Sequence, residues 1–310
     1  NPMYLFDDDP DGLASYLLLK RKFKKGNALA IKMKPEIRLD FLNIIKKYSY
    51  DLLVILDKPL VSQDFINHVS TPIIYIDHHQ VQNLKGIHYY NPRIKNKNDA
   101  PPTTQLCYDI VKQDEWIAAI GIVSDWFIPK FLKGLSRQYP DLLSYTKKPE
   151  KIIFEQKFGH LIKIFSFVLK GDNKGIKDAL PILENAENPY DLLNSKSSII
   201  ITRFETVNKV YRDLLDSAVK EAEASRKDRL IVFSYISGKI SSTGDIANEL
   251  MYRFPKKVVI VAREKDNEMR FSIRGKNILK HLQSALQGIN GHGGGHENAC
   301  GGSVPKEEFS

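Results

Sequence analysis

The chain has 310 residues, 42% of them hydrophobic and 27% charged. This is the composition of a globular protein of about two domains, and it excludes a disordered, collagen-like or coiled-coil chain. Two cysteines, Cys107 and Cys300, are too few for a disulfide scaffold or a four-thiolate zinc site. The net charge of +9 is compatible with a polyanionic partner. No apolar run approaches the ~20 residues of a membrane helix and no charged-then-apolar leader precedes the first motif, so we expect a cytoplasmic protein outside the membrane.

The first 125 residues alternate between continuous apolar runs and stretches with helical spacing, such as residues 13–23. Continuous apolar runs between helices predict the buried strands of a parallel sheet. The predicted strands are residues 3–6, 52–56, 73–76 and 117–123. Asp or His residues follow each run, and ligands of such sheets bind at the carboxyl ends of the strands.

The rest of the chain predicts a helical region, a connecting helix and a smaller mixed domain. Residues 126–195 have helical spacing, with breaks expected at Pro140, Pro149 and Pro181. A further helix is predicted at 244–252, and strands at 230–235, 257–262 and 269–273. We therefore predict an α/β fold with a parallel-sheet domain at residues 1–198, a linker helix at 199–227 and a smaller α/β domain at 228–310.

An acidic segment follows the first predicted strand. Asp7, Asp9 and Asp11 alternate there, and Asp8 adds a fourth carboxylate. Carboxylates at this density repel one another, and a divalent cation relieves the repulsion. The alternative is an exposed acidic turn that caps the next helix, because Asp is common at helix N-termini. Both interpretations stay open on this segment alone.

Three later motifs add further potential metal ligands, both carboxylates and imidazoles. Asp57 and Asp125 each follow an apolar run, where an isolated Asp could equally cap a turn. The Asp77-His78-His79 triplet adds imidazole nitrogens suited to Mn, Fe, Co or Zn, and only one of the adjacent histidines is expected to bind a metal directly. Together the motifs predict a two-metal centre for phosphoryl displacement that favours Mn²⁺, then Mg²⁺. Its expected ligands are Asp7, Asp9, Asp11, Asp57, His78 and Asp125.

A glycine-rich segment near the C-terminus, Gly291-His292-Gly293-Gly294-Gly295-His296, is expected to form a loop. Consecutive glycine amides can cradle an anion, and the imidazoles add hydrogen-bond donors. Upstream, Ser272 and Arg274 lie at the end of a predicted strand, where a guanidinium is suited to bidentate phosphate binding. The alternatives are a flexible linker and an ordinary surface arginine.

In their order and spacing, these motifs resemble the DHH phosphoesterase superfamily over nearly the whole chain. Residues 7–12, Asp57, the Asp77-His78-His79 triplet and the Gly-Ile-Val-Ser-Asp run at 121–125 are similar to the four motifs of its catalytic domain. The Gly-Gly-Gly-His run at 293–296 is similar to its DHH-associated C-terminal domain. The resemblance implies a manganese-dependent phosphodiesterase whose first domain holds the metals and whose second domain holds the substrate end.

The resemblance also implies a role for each candidate residue. The six ligands named above bind the metals, His79 contacts the scissile phosphate, and Asp77 orients the site from behind the ligands. In the C-terminal domain, the residues implied to hold the nucleotide are Ser272, Arg274, Gly293, Gly294, Gly295 and His296.

One position separates the subfamilies. Small-substrate members often carry a histidine where this chain has Leu5, whereas Asp7 resembles the RecJ-like nucleases, particularly the compact archaeal type. We therefore expect a single-strand-specific exonuclease that releases nucleoside monophosphates from DNA or RNA. The alternatives are a phosphodiesterase of small substrates (nanoRNA, 3′-phosphoadenosine 5′-phosphate or a cyclic dinucleotide) and an inactive scaffold in replication or repair. A replication or repair partner and a homo-oligomer stay open.

The basic surplus is unevenly distributed. Residues 130–178 contain 11 Lys and Arg residues but only 5 Asp and Glu residues. Such a segment could follow a phosphate backbone. We expect it to line or flank the approach to the metals.

Overall fold

The computed structural model describes residues 1–32, 36–194, 198–224, 228–236, 238 and 240–309. The chain divides into two compact units, residues 1–204 and 205–310. Each unit combines helices with a sheet, which confirms the predicted α/β class. Among the described residues, no helix has both the length and the apolar character that a membrane crossing requires.

The first unit is built on a parallel sheet. Its strands are β1 (Pro2–Asp7), β2 (Asn27–Ile31), β3 (Glu36–Ile37), β4 (Leu52–Leu56), β5 (Leu60–Val61), β6 (Ile73–Ile76) and β7 (His88–Tyr90). The main sheet has the order β2-β1-β4-β6-β7 with every pair parallel, and β3 pairs with β5 separately. The predicted parallel sheet and its strands at 3–6, 52–56 and 73–76 are therefore confirmed.

Both faces of this sheet are buried. From β1, Tyr4 and Phe6 join one apolar cluster, whereas Met3 and Leu5 join a second cluster on the opposite face. A strand that is buried on both faces needs apolar side chains at every position. This explains why residues 52–56 form a continuous apolar run.

Helices cover the sheet and extend beyond it. The helices of the first unit are α1 (Pro10–Phe23), α2 (Leu42–Ile45), α3 (Gln63–Asn67), α4 (Thr103–Val111), α5 (Glu115–Ser124), α6 (Leu132–Gln138), α7 (Pro149–Glu155), α8 (Phe158–Val168), α9 (Asn173–Asn185) and α10 (Pro189–Leu193). Short 3-10 helices lie at Leu39–Phe41 and Pro92–Ile94.

The strand predicted at 117–123 is wrong, because these residues lie in α5. Every residue of α5 from Trp116 to Val123 is buried, and the helix packs against α1 and α4. A helix buried on all sides lacks the polar face that produces a helical period, so its sequence cannot be distinguished from that of a buried strand. Asp125 nevertheless follows directly, as the C-cap residue of α5.

The helical region predicted at 126–195 is confirmed by α6 to α10. Pro149 is the first residue of α7, where the missing N–H costs nothing because it has no intrahelical partner. Pro181 lies inside α9, so the break expected at that residue is wrong.

Helix α11 (Ser198–Ala224) begins in the first unit and ends in the second. It corresponds to the predicted helix at 199–227, although residues 225–227 lie outside the described residues. The second unit contains the rest of the chain. Its remaining elements are β8 (Leu230–Ile236), α12 (Thr243–Arg253), β9 (Val258–Lys265), β10 (Glu268–Arg274), α13 (Ile278–Ala285), β11 (His292–His296), β12 (Ala299–Pro305) and a 3-10 helix at Lys306–Glu308. The sheet order is β11-β12-β10-β9-β8, with only the β8–β9 pair parallel among the described strands. The glycine-rich segment is therefore an edge strand, rather than the loop expected.

Candidate metal centre and nucleotide-binding face

Three acidic motifs lie at the carboxyl edge of the main sheet. Asp7 is the last residue of β1, while Asp57 and Asp77 directly follow β4 and β6. The register pairs Phe6 with Leu56 in β4, and Leu56 pairs with the last residue of β6. Since the three strands are adjacent and parallel, the three aspartates meet at one edge, where such sheets bind ligands.

The acidic segment also begins a helix. Asp9 is the N-cap of α1, and its Oδ1 accepts a hydrogen bond of 2.9 Å from the amide of Gly12. The capping alternative is therefore realised at Asp9. A side chain at position 12 would place its Cβ 2.6 Å from the carbonyl oxygen of Asp7, so only glycine allows β1 and α1 to meet this closely. Asp11, in the first turn, is buried.

Three carboxylates surround one imidazole nitrogen. The Nε2 of His78 lies 3.5 Å from Asp57 Oδ1, 3.8 Å from Asp125 Oδ2 and 3.9 Å from Asp11 Oδ2. Asp11, Asp57 and His78 each offer a donor atom, and these atoms all lie within 4.8 Å of one another. The structure thus brings four of the six predicted ligands around a common point.

The electrostatics of this cluster suit a cation. Burial raises the pKa of Asp57 well above its usual range, and the neighbouring carboxylates, Asp11 first, raise it further. Burial lowers the pKa of His78 and so favours the neutral imidazole, which is the form that binds metals. Hard carboxylate oxygens with one imidazole nitrogen fit Mn²⁺ or Mg²⁺. The donor set is therefore suited to the ions that the sequence predicts.

The N-terminus of α4 holds two of these carboxylates, a contribution that the sequence analysis missed. Asp11 accepts hydrogen bonds from the amides of Thr103 and Thr104, at 2.9 and 2.7 Å. The hydroxyl of Thr103 also donates to Asp57 Oδ1 at 2.9 Å. A Thr-Thr pair after two prolines is a recognisable helix start, but nothing in the sequence connects it to Asp11.

Asp77 lies beside the cluster, in a second group of donor atoms with Asp57 and His79 that lie within 4.8 Å of one another, and it holds His79. Its Oδ1 lies 2.7 Å from His79 Nδ1, and its Oδ2 accepts a hydrogen bond of 3.1 Å from Asn91 Nδ2 and one of 3.3 Å from the Tyr89 hydroxyl. Burial alone would lower the pKa of His79, but the hydrogen bond to Asp77 and the surrounding carboxylates raise it overall. This arrangement orients the imidazole and favours its protonated form.

Asp7 has a partner that the sequence analysis also missed. The Nζ atom of Lys58 lies 2.5 Å from Asp7 Oδ1, and the Lys58 side chain is only 2% exposed. Lys58 follows Asp57, which has a left-handed backbone with φ of 60°. The only available sequence signal was this adjacency to a predicted ligand.

Further positive charge lies near the acidic segment. Lys58, Lys170 and Lys32 each lower the pKa of Asp8, although burial raises it overall. Lys170 belongs to the basic segment at 130–178. The effect of Lys170 on Asp8 is electrostatic, and the expected position of the basic segment stays a prediction.

In the second unit, the register of the sheet aligns the predicted nucleotide-binding residues. Across β12, Ser272 is in line with Gly294, and Arg274 is in line with His296. Directly paired residues point to the same face, so these four share one face of the sheet. Gly293 points to the other face, where a Cβ would lie 3.0 Å from side chains of α13 and of its C-cap residue. Gly295 has a φ of 139°, a backbone conformation that favours glycine.

Arg274 is fixed by several hydrogen bonds. Its Nε donates to Asn248 Oδ1 at 2.5 Å, and its Nη1 donates to the carbonyl oxygens of Ile273 and Cys300. The Nη2 atom points toward Gly244 at the start of α12, where Ser272 Oγ also lies near. Asn248 on α12 is a positioning residue with no sequence signal, because its role depends on the packing of α12 on the sheet.

Comparisons with known proteins agree with this architecture. Residues 215–310 match the DHHA1 domain family. RecJ from Thermus thermophilus in complex with Mn²⁺ superposes with a TM-score of 0.64 at 15% identity, over 99% of this chain and 50% of that one. The same protein in complex with Mg²⁺ matches with a TM-score of 0.58 at 14% identity, over 99% of this chain and 47% of that one. The chain therefore spans about half the length of that RecJ.

Two shorter proteins match over most of their own length. The DHH domain of a member of a ribosomal protein family has a TM-score of 0.64 at 14% identity, over 99% of this chain and 83% of that one. The pGpG-specific phosphodiesterase PggH from Vibrio has a TM-score of 0.50 at 14% identity, over 99% of this chain and 95% of that one. No curated protein sequence matches the chain. The chain thus carries a C-terminal DHHA1 domain and has the RecJ-like fold of DHH-domain proteins, which confirms the resemblance drawn from its motifs.

Proposed function

We propose that the protein is a metal-dependent phosphodiesterase that degrades single-stranded nucleic acid from an end and releases nucleoside monophosphates. The observation that carries this proposal is the convergence of Asp11, Asp57 and Asp125 on Nε2 of His78, beside the His79–Asp77 pair. The RecJ-like fold supports the choice of a nuclease. The Mn²⁺ and Mg²⁺ complexes of RecJ support these ions as cofactors.

Each residue of the centre has a proposed role. Asp11, Asp57, His78 and Asp125 hold the metal, with Asp7 and Asp9 as further predicted ligands. Bound divalent ions would supply an activated water and neutralise charge that develops on the phosphate. His79, which Asp77 orients and whose pKa it raises, donates a hydrogen bond to the scissile phosphate. Asn91 and Tyr89 keep Asp77 in place.

The shared face of the C-terminal sheet is proposed to hold the terminal nucleotide. Arg274 offers a planar guanidinium that suits phosphate oxygens, and its Nε and Nη1 bonds fix its direction. Ser272 and His296 add donors on the same face. Gly294 has no atom within 4 Å of a Cβ position, so its backbone is open to close approach by a ligand. Gly293 and Gly295 are proposed to shape the strand.

To test this, the full chain is incubated with end-labelled single-stranded DNA and RNA of several lengths. Hydrolysis is measured in Mn²⁺ and again after EDTA is added. We expect Mn²⁺-dependent release of mononucleotides from long strands, inhibited by salt because phosphate contacts release counterions. Asp57→Asn should lower the rate by about 100-fold or more, because it removes a charged ligand. The matched control is Asp64→Asn, an exposed carboxylate on α3, which should retain the rate.

A phosphodiesterase of short oligonucleotides or cyclic dinucleotides is the second candidate. It is supported by the match to PggH, which covers 95% of that chain. The same assay separates the two. Much faster turnover of a dinucleotide than of a long strand would establish this second function and reject the exonuclease.

A further inference from the structure

Lys58 is a buried cation inside an acidic centre. Its side chain is 2% exposed, and its Nζ lies 2.5 Å from Asp7 Oδ1. The backbone fixes its position, because Asp57 turns the chain in the left-handed conformation and the Tyr75 hydroxyl donates to the carbonyl oxygen of Lys58. The ammonium is therefore built into the site and is not a mobile surface group.

Asp57 belongs to two groups of donor atoms, and in the group with Asp77 and His79 the carboxylate and the imidazole are hydrogen-bonded to each other at 2.7 Å. Asp11, Asp57 and His78 form a compact group with Asp125 beside it, which is sufficient for one divalent ion. Among the described residues, Asp7 joins no such group of three donors, and one of its oxygens is bound to Lys58. A divalent ion at Asp7 has to compete with an ammonium that is already in place.

We propose that Lys58 takes the place of one of the two divalent ions in the resting enzyme. One ion binds tightly at Asp11, Asp57, His78 and Asp125, while Asp7 stays paired with Lys58. A second ion enters only when Asp7 exchanges the ammonium for it, so the second ion binds more weakly. This inference rests on the metal centre of the proposed function and concerns how many ions it holds before substrate binds.

The experiment counts Mn²⁺ ions bound to the full chain without substrate, by equilibrium dialysis after metal removal and by electron paramagnetic resonance. We expect one tight equivalent with the six-line spectrum of an isolated ion, and a second equivalent that is about 10-fold or more weaker. Lys58→Met keeps the aliphatic stem but removes the charge. It should convert the second equivalent into a tight one and produce the exchange-coupled spectrum of two neighbouring ions.

Lys170→Met is the matched control, because Lys170 acts on the acidic segment through Asp8, whereas Lys58 is the ammonium bound to Asp7. It should retain one tight equivalent. Two equivalents of similar affinity in the unmodified protein would overturn the proposal, and so would a folded Lys58→Met variant that still binds a single ion. If that variant does not fold, the count in the unmodified protein decides alone.

These outcomes are distinct from those that test the proposed function. One tight ion with no hydrolysis of any phosphodiester would reject the enzyme but not the role of Lys58. Rapid hydrolysis by a protein that binds two ions equally would reject the role of Lys58 but not the enzyme.

Discussion

At the scale of single residues, the two adjacent histidines have different environments. His78 presents Nε2 to three carboxylates, whereas His79 presents Nδ1 to Asp77. The sequence predicted this division, because adjacent residues after a strand point to different sides. It could not predict that Asn91 and Tyr89 would bind the second oxygen of Asp77, since that contact depends on the pairing of β6 with β7.

Asp77→Asn tests the proposed orientation of His79. The amide cannot favour the protonated imidazole as a carboxylate does, so we expect kcat to fall by about 10- to 100-fold. Mn²⁺ affinity should stay the same, because Asp77 contacts His79 rather than Nε2 of His78. Steady-state kinetics and Mn²⁺ titration separate the two effects, with Asp64→Asn as the control. A parallel loss of Mn²⁺ affinity would instead place Asp77 among the ligands.

The two cysteines are expected to be unreactive in the native protein. Both are buried, and burial raises the pKa of each thiol above its usual range. A higher pKa lowers the thiolate fraction at any given pH, so a thiol reagent should label Cys107 and Cys300 slowly in buffer but rapidly in denaturant. Cys300→Ser isolates the signal of Cys107. Rapid labelling of Cys107 in the native state would show that the packing around α4 opens easily.

At the scale of elements, the site depends on how closely α1 follows β1. The amide of Gly12 is bound by Asp9, and its Cα lies against the backbone of Asp7. The sequence located this turn correctly from its Asp and Gly residues. The prediction from sequence was wrong at α5. Burial on every side of this helix removes the periodicity that identifies a helix, so a strand was predicted there. Glycines at 293–295 likewise carry no strand signal, and β11 forms through backbone pairing with β12.

Gly12→Ala should damage the fold and the site together. The added Cβ would lie 2.6 and 2.8 Å from backbone atoms of Asp7, which cannot move as a flexible side chain does. We expect a loss of about 1–3 kcal/mol in the free energy of unfolding, with lower Mn²⁺ affinity. Gly134→Ala is the matched control in α6, because no atom lies within 4 Å of its Cβ position. It should stabilise by about 0.5–1 kcal/mol, and chemical denaturation measures both. Equal effects of the two variants would contradict the proposed close contact.

At the scale of the whole molecule, a basic composition coexists with an acidic site. The net charge of +9 coexists with a cluster of buried carboxylates, and Lys58, Lys170 and Lys32 lie close enough to act on Asp8. The basic composition is compatible with a polyanionic partner, which stays a prediction. It could not predict which lysines approach the acidic segment, because Lys32 and Lys58 come from other parts of the chain than the basic segment.

The metal-free protein should lose stability as the pH rises. The pKa of Asp57 is raised in the native state, so the native protein keeps a proton that the unfolded chain releases above about pH 4. The free energy of unfolding therefore falls as the pH rises toward the native pKa. We expect a lower Tm at about pH 8 than at about pH 5.5 in EDTA. Mn²⁺ should reduce this difference by neutralising the cluster. Thermal denaturation measures both, and an identical pH dependence with and without Mn²⁺ would contradict the assignment of the centre.

Through Asp9, metal binding at the centre is expected to affect the backbone amide of Gly12. The Asp9 carboxylate caps α1 through the amide of Gly12, while Asp7 and Asp11, two residues to either side, lie at the end of β1 and in the first turn of α1. A cation that draws the Asp9 carboxylate toward itself weakens that cap, whereas removal of the cation restores it. The exchange rate of the Gly12 amide proton with deuterium should therefore report ion binding directly, without any substrate.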